Sequence, residues 1–231
     1  ETLRYLQRKV VGKDIGIAFD GDGDRLGVVD ERGSIVPSNC VLALLAKNVL
    51  KKRPGSKILL DVVVSQAVID VIKQNGGVPM ISRVGHSHIQ AKLLDEGCAF
   101  AGENSGHYYF AENFGYDDAL FAALKMLEFE MPISKLWQDL PKYFSSHEFR
   151  PECPDDRKFA VIEELKERLK DYKMITIDGV KVILPNGWFI VRASNTAPQL
   201  VVRWEAKDEK SFKEIENMVR SGLEAIGVKL K

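Results

Sequence analysis

The sequence predicts a mixed fold: a mainly parallel α/β part is followed by an α+β part. Through residue 130, buried apolar segments of strand length alternate with segments of helix length, which is typical of a sheet covered by helices. After Met131-Pro132 the pattern changes to one helix, four strands separated by turn signals, and a final helix. With 231 residues, the chain can form one large or two small domains. We expect the boundary within 131–142.

The first part opens with a predicted charged amphipathic helix over 1–10 and two strands over 15–19 and 26–29, joined by a polar loop. A turn follows at 31–33. From residue 38 the expected elements alternate: helix 41–52, strand 57–64, helix 67–74, strand 78–82, a helix after Ser87, strand 98–101 and helix 117–130. Arg53-Pro54-Gly55 and Asn75-Gly76-Gly77 are typical helix stops. The aromatic run 108–110 is interpreted as core.

In the second part, the expected elements are helix 157–170, strands 174–177, 180–184, 187–192 and 199–206, and helix 210–226. Asp178-Gly179 and Pro185-Asn186-Gly187 are signals for hairpin turns, which join antiparallel neighbours. Trp188 and Phe189 are interpreted as core residues.

The composition argues against several classes of protein. Lysine plus arginine and aspartate plus glutamate both number 33, so the charge balance indicates neither a nucleic-acid nor a membrane partner. No stretch approaches the ~18 consecutive apolar residues of a membrane span, and the first residues do not resemble a signal peptide. The three cysteines are scattered, which favours inert thiols in a reducing compartment. We therefore expect a cytoplasmic protein.

The most informative motif is Asp20-Gly21-Asp22-Gly23-Asp24-Arg25, which lies between the first two predicted strands. Three carboxylates at alternate positions of a tight loop provide hard oxygen ligands, which suit Mg²⁺ or Mn²⁺. The glycines allow the backbone to fold these oxygens toward one point. Because Mg²⁺ commonly takes its remaining ligands from water and phosphate, the neighbouring arginine indicates phosphoryl transfer.

Three other kinds of loop are alternatives for this motif. An EF-hand calcium loop would need glycine at its sixth position, where Arg25 stands, and helical rather than strand-like flanks. A haloacid-dehalogenase-type phosphotransferase, with Asp20 as nucleophile and Asp22 as acid, stays open, although such enzymes usually carry Thr or Val in place of Asp24. A plain acidic turn is disfavoured because like charges repel without a cation.

Two further loops carry polar side chains that suit a phosphorylated sugar. Glu103 and Ser105, in the loop 102–107, can share hydrogen bonds with vicinal hydroxyls, although the loop alone could be a simple polar turn. In the loop 192–198, a strand delivers Arg192 next to hydroxyls, an amide and backbone N–H groups, which can bind a phosphate dianion. A plain turn between strands is the alternative there. His86 and His88 lack the spacing of a zinc site.

Together these loops resemble those of the α-D-phosphohexomutases, the phosphomannomutase/phosphoglucomutase group. The run 20–25 is similar to the metal loop of the family, 84–87 to a further motif, 102–107 to its sugar-binding loop and 192–198 to its phosphate-binding loop, in the same order. The family fold has three related α/β domains and a TATA-binding-protein-like α+β domain. The resemblance implies that 1–37 is the tail of domain 2, 38–134 is domain 3 and 135–231 is domain 4.

The resemblance also implies roles for residues of the first part. Asp20, Asp22 and Asp24 would ligate Mg²⁺ together with a phosphoserine oxygen, and Arg25 would lie against the reacting phosphate. His107 would assist proton transfer or neutralise phosphate.

His86 would share that role with His107. Glu103 and Ser105 would bind sugar hydroxyls in either of two substrate orientations. The phosphate that does not react would be held by four residues of the last loop, namely Arg192, Ser194, Asn195 and Thr196.

One departure from the family matters for function. The phosphoserine loop of the family, similar to Thr-Ala-Ser-His-Asn-Pro, has no counterpart here, and neither Ser87 nor 145–147 has its surroundings. We therefore expect the C-terminal portion of an isomerase, inactive by itself, whose parent is a phosphoprotein. The parent would convert hexose 1-phosphate into hexose 6-phosphate through a hexose 1,6-bisphosphate, which also serves as activator. A separate N-terminal polypeptide carrying the phosphoserine is a possible partner.

The phosphate loop carries one indication of the preferred sugar. Asn195 favours the mannose/glucose group over the glucosamine group, where glycine is usual. Two alternatives of other classes stay open: a non-catalytic sugar-phosphate-binding protein, and the dehalogenase-like phosphotransferase that uses Asp20.

Overall fold

The computed structural model describes residues 3–230, and the chain divides into two compact units between Pro141 and Lys142. Residues 1, 2 and 231 lie outside the described residues, and so do the first two positions of the helix expected over 1–10.

The first unit begins with a helix and a small antiparallel sheet. Helix α1 spans Arg4–Lys9, and the strands are β1 (Ile15–Phe19), β2 (Leu26–Asp30) and β3 (Ile35–Val36), in the order β1-β2-β3. Strands β1 and β2 pair from Ile15↔Asp30 to Phe19↔Leu26, so the acidic loop 20–25 is the tip of a hairpin. The bounds expected for β1 are confirmed, whereas β3 was not expected.

A four-stranded α/β layer forms the rest of the first unit. Its helices are α2 (Ser38–Lys52), α3 (Gln66–Gln74), α4 (His86–Asp95), α5 (Ala119–Met126) and α6 (Ile133–Gln138). Its strands are β4 (Lys57–Asp61), β5 (Val78–Ser82), β6 (Phe100–Gly102) and β7 (Tyr108–Phe110), in the order β5-β4-β6-β7. Strand β4 runs parallel to β5 and β6, and β7 is antiparallel to β6. The loops that follow β4, β5 and β6 therefore lie at one edge of the sheet, where α/β proteins commonly bind ligands.

The core of the first unit consists of apolar side chains from both sheets and from the helices between them. Leu26 and Val28 of β2 pack with Leu42 and Leu45 of α2 and with Phe100 of β6 in one cluster. Because β2 shares this cluster with the α/β layer, the acidic hairpin is held against that layer.

The second unit is an antiparallel α+β structure. Its strands are β8 (Phe144–Ser145), β9 (Met174–Ile175), β10 (Val180–Leu184), β11 (Gly187–Ala193) and β12 (Leu200–Ala206), and its helices are α7 (Asp155–Arg168) and α8 (Glu209–Glu224). The sheet order is β8-β12-β11-β10-β9, and each pair of neighbours is antiparallel. Val161 of α7 and Val219 of α8 share a buried cluster with Val191 and Trp204 of the sheet. The expected helix–strands–helix pattern is confirmed.

Several boundaries differ from expectation for local reasons. Strand β4 ends at Asp61 rather than at residue 64, because Asp61 Oδ1 accepts a hydrogen bond from the Val63 amide and closes a turn. Helix α5 begins at Ala119 because Asp118 caps it by accepting from Phe121 N. The run Tyr108–Phe110 is buried, as expected, but also forms β7. Among residues 3–230, no helix combines the length and apolar character needed to cross a membrane.

Candidate functional site

The acidic loop brings three carboxylates to one point. One oxygen each of Asp20, Asp22 and Asp24 lies within 4.8 Å of the other two. Asp20 Oδ1 accepts a hydrogen bond from Arg25 N at 3.1 Å, and Arg25 Nε lies 3.4 Å from Asp20 Oδ2. The backbone hydrogen bond from Arg25 is the main reason why the pKa of Asp20 is lowered. The loop thus curls back on itself and directs its carboxylates together.

Asp24 shows that this oxygen cluster fits a metal ion. Its Oδ1 is buried and accepts no hydrogen bond from residues 3–230, although Arg25 Nε lies 4.0 Å away, beyond hydrogen-bonding distance. Burial first, and then the neighbouring acidic groups, raise the pKa of Asp24. A buried carboxylate oxygen without a donor is costly unless a cation lies against it. The donor set consists of carboxylates alone, which is the chemistry that Mg²⁺ prefers.

His107 lies beside the acidic loop and joins it to the sugar-type loop. Its Nε2 accepts a hydrogen bond from Arg25 Nε at 3.2 Å and lies 3.4 Å from Asp24 Oδ2. Its Nδ1 lies 2.7 Å from Ser105 Oγ and 3.2 Å from Glu103 Oε2. Burial opposes the charged ring, yet the hydrogen bond and charge of Glu103, together with Asp24, raise the pKa of His107. The imidazole is therefore held between an acidic pocket and a guanidinium.

Glu103 is buried and accepts hydrogen bonds within the first unit. The residue is 2 % exposed, and its two oxygens accept hydrogen bonds from Gly85 N at 3.1 Å and Tyr109 Oη at 2.8 Å. Although burial opposes it, the hydrogen bond from His107 keeps the pKa of Glu103 lowered. Glu103 therefore orients His107 and also fixes Gly85 at the start of α4.

Backbone contacts explain how loops distant in sequence meet. Leu26 N donates to Gly106 O at 3.1 Å, next to a bridge between Arg25 and His107. Gly106 has a φ of +98°, which glycine adopts without strain, and an added Cβ would lie 3.4 Å from Leu26 O. Below the loop, Asp61 Oδ2 accepts from Asn104 N at 2.8 Å. The two loops are thus fixed to each other and to the end of β4.

His86 and Asp117 lie at the outer side of the cluster. The His86 side chain is 70 % exposed, and its Nδ1 lies 3.6 Å from Asp117 Oδ2. Ligand atoms of Asp117, Asp24 and His107 also lie within 4.8 Å of one another, and Asp117 Oδ2 is buried with no hydrogen-bond partner among the described residues. Sequence analysis missed Asp117, for which the only local signal is a second aspartate before the α5 cap.

The charges of this cluster do not balance. Five carboxylates, from residues 20, 22, 24, 103 and 117, surround one guanidinium and one imidazole. Like-charged carboxylates at short range stabilise a bound cation. The excess of carboxylates next to Arg25 fits the charge of a divalent cation, and the metal site stays a prediction.

The predicted phosphate loop of the second unit begins at a buried ion pair. Arg192 Nε and Nη2 lie 3.2 and 3.1 Å from Asp178 Oδ2, and the two side chains are 9 % and 8 % exposed. Asp178 belongs to the turn between β9 and β10, which places Gly179 against β11. Gly179 has a φ of +78°, and a Cβ there would overlap the carbonyl of Val191. The close approach of this turn to β11 thus places Asp178 beside Arg192.

The rest of that loop is folded around Ser194. Its Oγ accepts hydrogen bonds from Thr196 N at 3.3 Å and Ala197 N at 3.2 Å. Ser194 is 4 % exposed, whereas Asn195 and Thr196 are exposed. Asn195 N has no acceptor among residues 3–230. One amide and two polar side chains are therefore available to a ligand at the tip.

The structure thus brings together, within the first unit, the residues predicted for metal, catalysis and sugar. Arg192 and Ser194–Thr196 form a separate group within the second unit. None of these contacts tests a role in binding or catalysis, so the assigned roles stay predictions.

Comparison with known proteins adds independent information. The family model described as phosphoglucomutase/phosphomannomutase, alpha/beta/alpha domain III, matches residues 37–143. The model described as phosphoglucomutase/phosphomannomutase, C-terminal domain, matches residues 148–222.

Three similar proteins illustrate the range of sequence identity among the matches. A phosphomannomutase/phosphoglucomutase from Pseudomonas aeruginosa is 39% identical over 98% of this chain and 51% of its own. The crystal structure of a phosphoglucomutase/phosphomannomutase family protein from Burkholderia thailandensis has a TM-score of 0.90 and 34% identity, and covers 99% of this chain and 51% of its own. N-acetylphosphoglucosamine mutase from Aspergillus fumigatus, solved with GlcNAc-6P and magnesium, shares the fold with a TM-score of 0.60 and 15% identity, over 92% of this chain and 52% of its own. The chain therefore spans about half the length of the relatives that it matches.

Proposed function

Because the chain belongs to the phosphoglucomutase/phosphomannomutase family, we propose that it is the C-terminal portion of a phosphohexomutase. The complete enzyme interconverts hexose 1-phosphate and hexose 6-phosphate of the mannose or glucose series. It works through a hexose 1,6-bisphosphate and a phosphoserine supplied by polypeptide that corresponds to the first half of the relatives. The observation that carries the proposal is the buried, donor-free Asp24 Oδ1 in a carboxylate cluster beside Arg25 and His107.

Asp20, Asp22 and Asp24 hold Mg²⁺ in this proposal. When bound, the ion supplies positive charge that stabilises the transferring phosphoryl group. The excess of carboxylates supports this assignment, and so does the magnesium complex of the A. fumigatus enzyme, which shares the fold.

Arg25 binds the reacting phosphate. Its Nε is engaged by His107 and Asp20, which fixes the plane of the guanidinium. The side chain is 55% exposed, so its terminal nitrogens are accessible to phosphate oxygens. Phosphoryl transfer depends mainly on such positioning and charge stabilisation.

His107 moves the proton of the reacting sugar hydroxyl, and His86 neutralises phosphate at the outer side. The position of the ring supports this role, because its Nδ1 lies 2.7 Å from Ser105 Oγ of the proposed sugar loop and its Nε2 lies 3.4 Å from Asp24 Oδ2 of the proposed metal loop. The 70 % exposure of His86 supports contact with a ligand rather than a place in the core.

Glu103 and Ser105 bind sugar hydroxyls. Both already lie within hydrogen-bonding distance of His107 Nδ1, so a sugar hydroxyl exchanges places with that nitrogen when it binds. Sugar binding and the position of the imidazole are thereby coupled. Arg192, Ser194, Asn195 and Thr196 hold the phosphate that does not react.

An exposed edge of the first unit supports a polypeptide partner. Strand β1 is at the end of its sheet, and its outer edge pairs with no strand among residues 3–230. Helix α5 presents Leu120 and Leu124 to solvent, with exposures of 62 and 55 %, and Leu127 directly after the helix is 56 % exposed. The end of α5 and the start of β1 line one cavity of about 330 Å³. Open edges and apolar stripes typically pair with further chain, and we propose the phosphoserine-bearing portion as that chain.

Calorimetric titration with glucose 1-phosphate and mannose 1-phosphate tests the binding part of the proposal. In the presence of Mg²⁺ we expect saturable binding that Arg25→Ala and Arg192→Ala each weaken by about tenfold or more, the loss typical of a charge-assisted hydrogen bond. Lys213→Ala is the control, because this lysine is exposed and, within residues 3–230, pairs only with Glu209 of its own helix. Absence of binding to both sugar phosphates would contradict the proposal.

Complementation tests the catalytic part. The chain alone should show no turnover with Mg²⁺ and glucose 1,6-bisphosphate. Addition of the N-terminal half of the P. aeruginosa relative should produce glucose 6-phosphate from glucose 1-phosphate, and Leu124→Glu should reduce that gain. Turnover by the chain alone would contradict the assignment of the phosphoserine to other polypeptide. A phosphorylated Asp20, trapped with borohydride, would instead indicate the dehalogenase-like chemistry.

A further inference from the structure

A buried lysine lies under the loop that we propose as a phosphate site. Lys158, in the first turn of α7, is 5 % exposed. Its Nζ donates to Ser194 O at 2.7 Å and Ala197 O at 3.3 Å, and it lies 2.6 Å from Asp155 Oδ1. The three N–H groups of the ammonium thus have three partners. Two of these partners are carbonyls of the loop 192–198.

We propose that Lys158 is a positioning residue for phosphate, acting through the backbone of Ser194 and Asn195. The inference rests on the proposed function of this loop as a phosphate site. In this role Lys158 does not touch the phosphate; it fixes the direction of the amide that does.

Planarity of the peptide bond provides the mechanism. The Ser194 carbonyl points toward the Lys158 ammonium. In a trans peptide the following N–H points in the opposite direction, so the Asn195 N–H is directed away from the ammonium. This amide has no acceptor among residues 3–230, and Asn195 is exposed. Lys158 thereby aims a free backbone donor at the exposed side of the loop, where an anion can accept from it.

The second contact, from Lys158 to the Ala197 carbonyl, holds the loop without turning another backbone N–H away from a ligand. Ala197 is followed by Pro198, which has no N–H, so holding the Ala197 carbonyl inward costs no donor to the ligand. Ser194 N also donates to Gln199 O at 3.0 Å. The two carbonyl contacts therefore fix both ends of the segment that carries Asn195 and Thr196.

Within its own helix, Lys158 occupies an electrostatically unfavourable position. Its contacts with the loop 192–198 are therefore the better explanation of why a lysine is buried there. A lysine in the first turn of a helix is close to the positive end of the helix dipole. Burial of its ammonium adds a desolvation cost. Asp155, which is 71% exposed, compensates for this only in part. The buried positive charge in turn favours an anion bound at the same loop.

The test compares variants of the full chain by ¹H–¹⁵N spectra and by calorimetry with glucose 1-phosphate. Lys158→Met removes the charge and its hydrogen bonds but keeps the apolar stem, and Lys158→Gln keeps a neutral donor. Lys166→Met is the matched control, since Lys166 is on the same helix and pairs only with Glu163 among the described residues. Lys158→Arg is the conservative variant expected to restore binding.

We expect the Asn195 amide of Lys158→Met to shift in the absence of ligand, because the preceding carbonyl loses its donor. Affinity for glucose 1-phosphate should fall by about tenfold or more, while Lys166→Met leaves both unchanged. A role in stability alone would lower the melting temperature without a selective change at residues 194–197 or a loss of affinity below that temperature.

The outcomes separate this inference from the proposed function. If Lys158→Met retains the wild-type Asn195 shift and affinity, the inference about Lys158 is wrong although the phosphate site stands. If the wild-type chain binds no sugar phosphate, the proposed function fails, and the ligand-free Asn195 shift still decides whether Lys158 positions this amide. Should Lys158→Met not fold, the same comparison is made with Lys158→Gln.

Discussion

The buried ion pair of the second unit allows a quantitative prediction. Asp178→Asn removes one charge of the pair while keeping the size of the side chain. Arg192 then remains buried, with Nε and Nη2 facing an amide instead of a carboxylate. A guanidinium is always charged in proteins, so an uncompensated positive charge is left in the interior by this substitution.

The expected loss in the free energy of unfolding follows from the burial of the ion pair. Breaking a buried ion pair by removing one partner typically costs about 3–5 kcal/mol, because an uncompensated charge remains. The side chains of Arg192 and Asp178 are 9% and 8% exposed, so screening by water is small. Asparagine still offers one oxygen to the guanidinium. We therefore expect a loss near the lower limit, about 3 kcal/mol of the free energy of unfolding.

Urea unfolding followed by tryptophan fluorescence measures this loss. Trp188 and Trp204 are both 1% exposed and report on the second unit. Glu164→Gln is the control: Glu164 pairs with Arg168 on the surface, where the two side chains are 48% and 50% exposed. Such a pair contributes roughly 0–1 kcal/mol, so the control should change little.

A double variant tests whether the unpaired charge of Arg192 causes the loss of stability. Replacing Arg192 by methionine in the Asp178→Asn background removes the unpaired charge. The double variant should therefore be more stable than Asp178→Asn alone. If the two substitutions destabilise additively, or if Asp178→Asn costs less than about 1 kcal/mol, the ion pair does not hold this region as described.

Two further predictions concern the first unit. The hydrogen bond from Lys52 lowers the pKa of Glu128 to about 2; because this is below the usual value, its stabilising effect is present above about pH 4.5 and is lost as the pH falls toward 2. Urea midpoints between pH 5 and about 2 should therefore fall less steeply in Glu128→Gln than in the wild type, and parallel curves would contradict this. Mg²⁺ at one hundred times its dissociation constant should raise the free energy of unfolding of the wild-type chain, measured by urea unfolding, by about 2.7 kcal/mol. Asp24→Asn should abolish most of this gain and Asp95→Asn, at an exposed position, should not; equal gains in both variants would exclude the proposed metal ligand.

Much of the fold could be predicted because local signals and tertiary packing agree. Strands β1 and β5 have the expected bounds, since their apolar runs end at polar or glycine-rich loops. The predicted helix over 117–130 is shorter because its flanks are controlled by a side-chain cap at Asp118, not by periodicity. Strand β7 was missed because a three-residue aromatic strand has no periodicity to detect.

The candidate site was predictable where one loop contains several ligands, and not where single residues converge. The acidic loop 20–25 is compact in sequence, so its carboxylates were identified together. Asp117 reaches the same cluster from 93 positions beyond Asp24, and Lys158 reaches Ser194 across 36 positions. No nearby residue in the sequence indicates the spatial partners of Asp117 or of Lys158. Glu103 was identified, but its burial and its hydrogen bonds to Gly85 and Tyr109 depend on packing alone.

The separation of the two cores has a consequence for how such a chain evolves. Among residues 3–230, the large apolar cluster of the second unit draws only on residues 149–230, and the clusters of the first unit only on residues before 141. A substitution that weakens packing around the 192–198 loop is therefore not transmitted through a shared core to the acidic hairpin. Under the proposed function, preference for the phosphate end of a ligand and affinity for the metal can change by separate mutations. Divergence of substrate choice would then not require the proposed metal loop to be rebuilt.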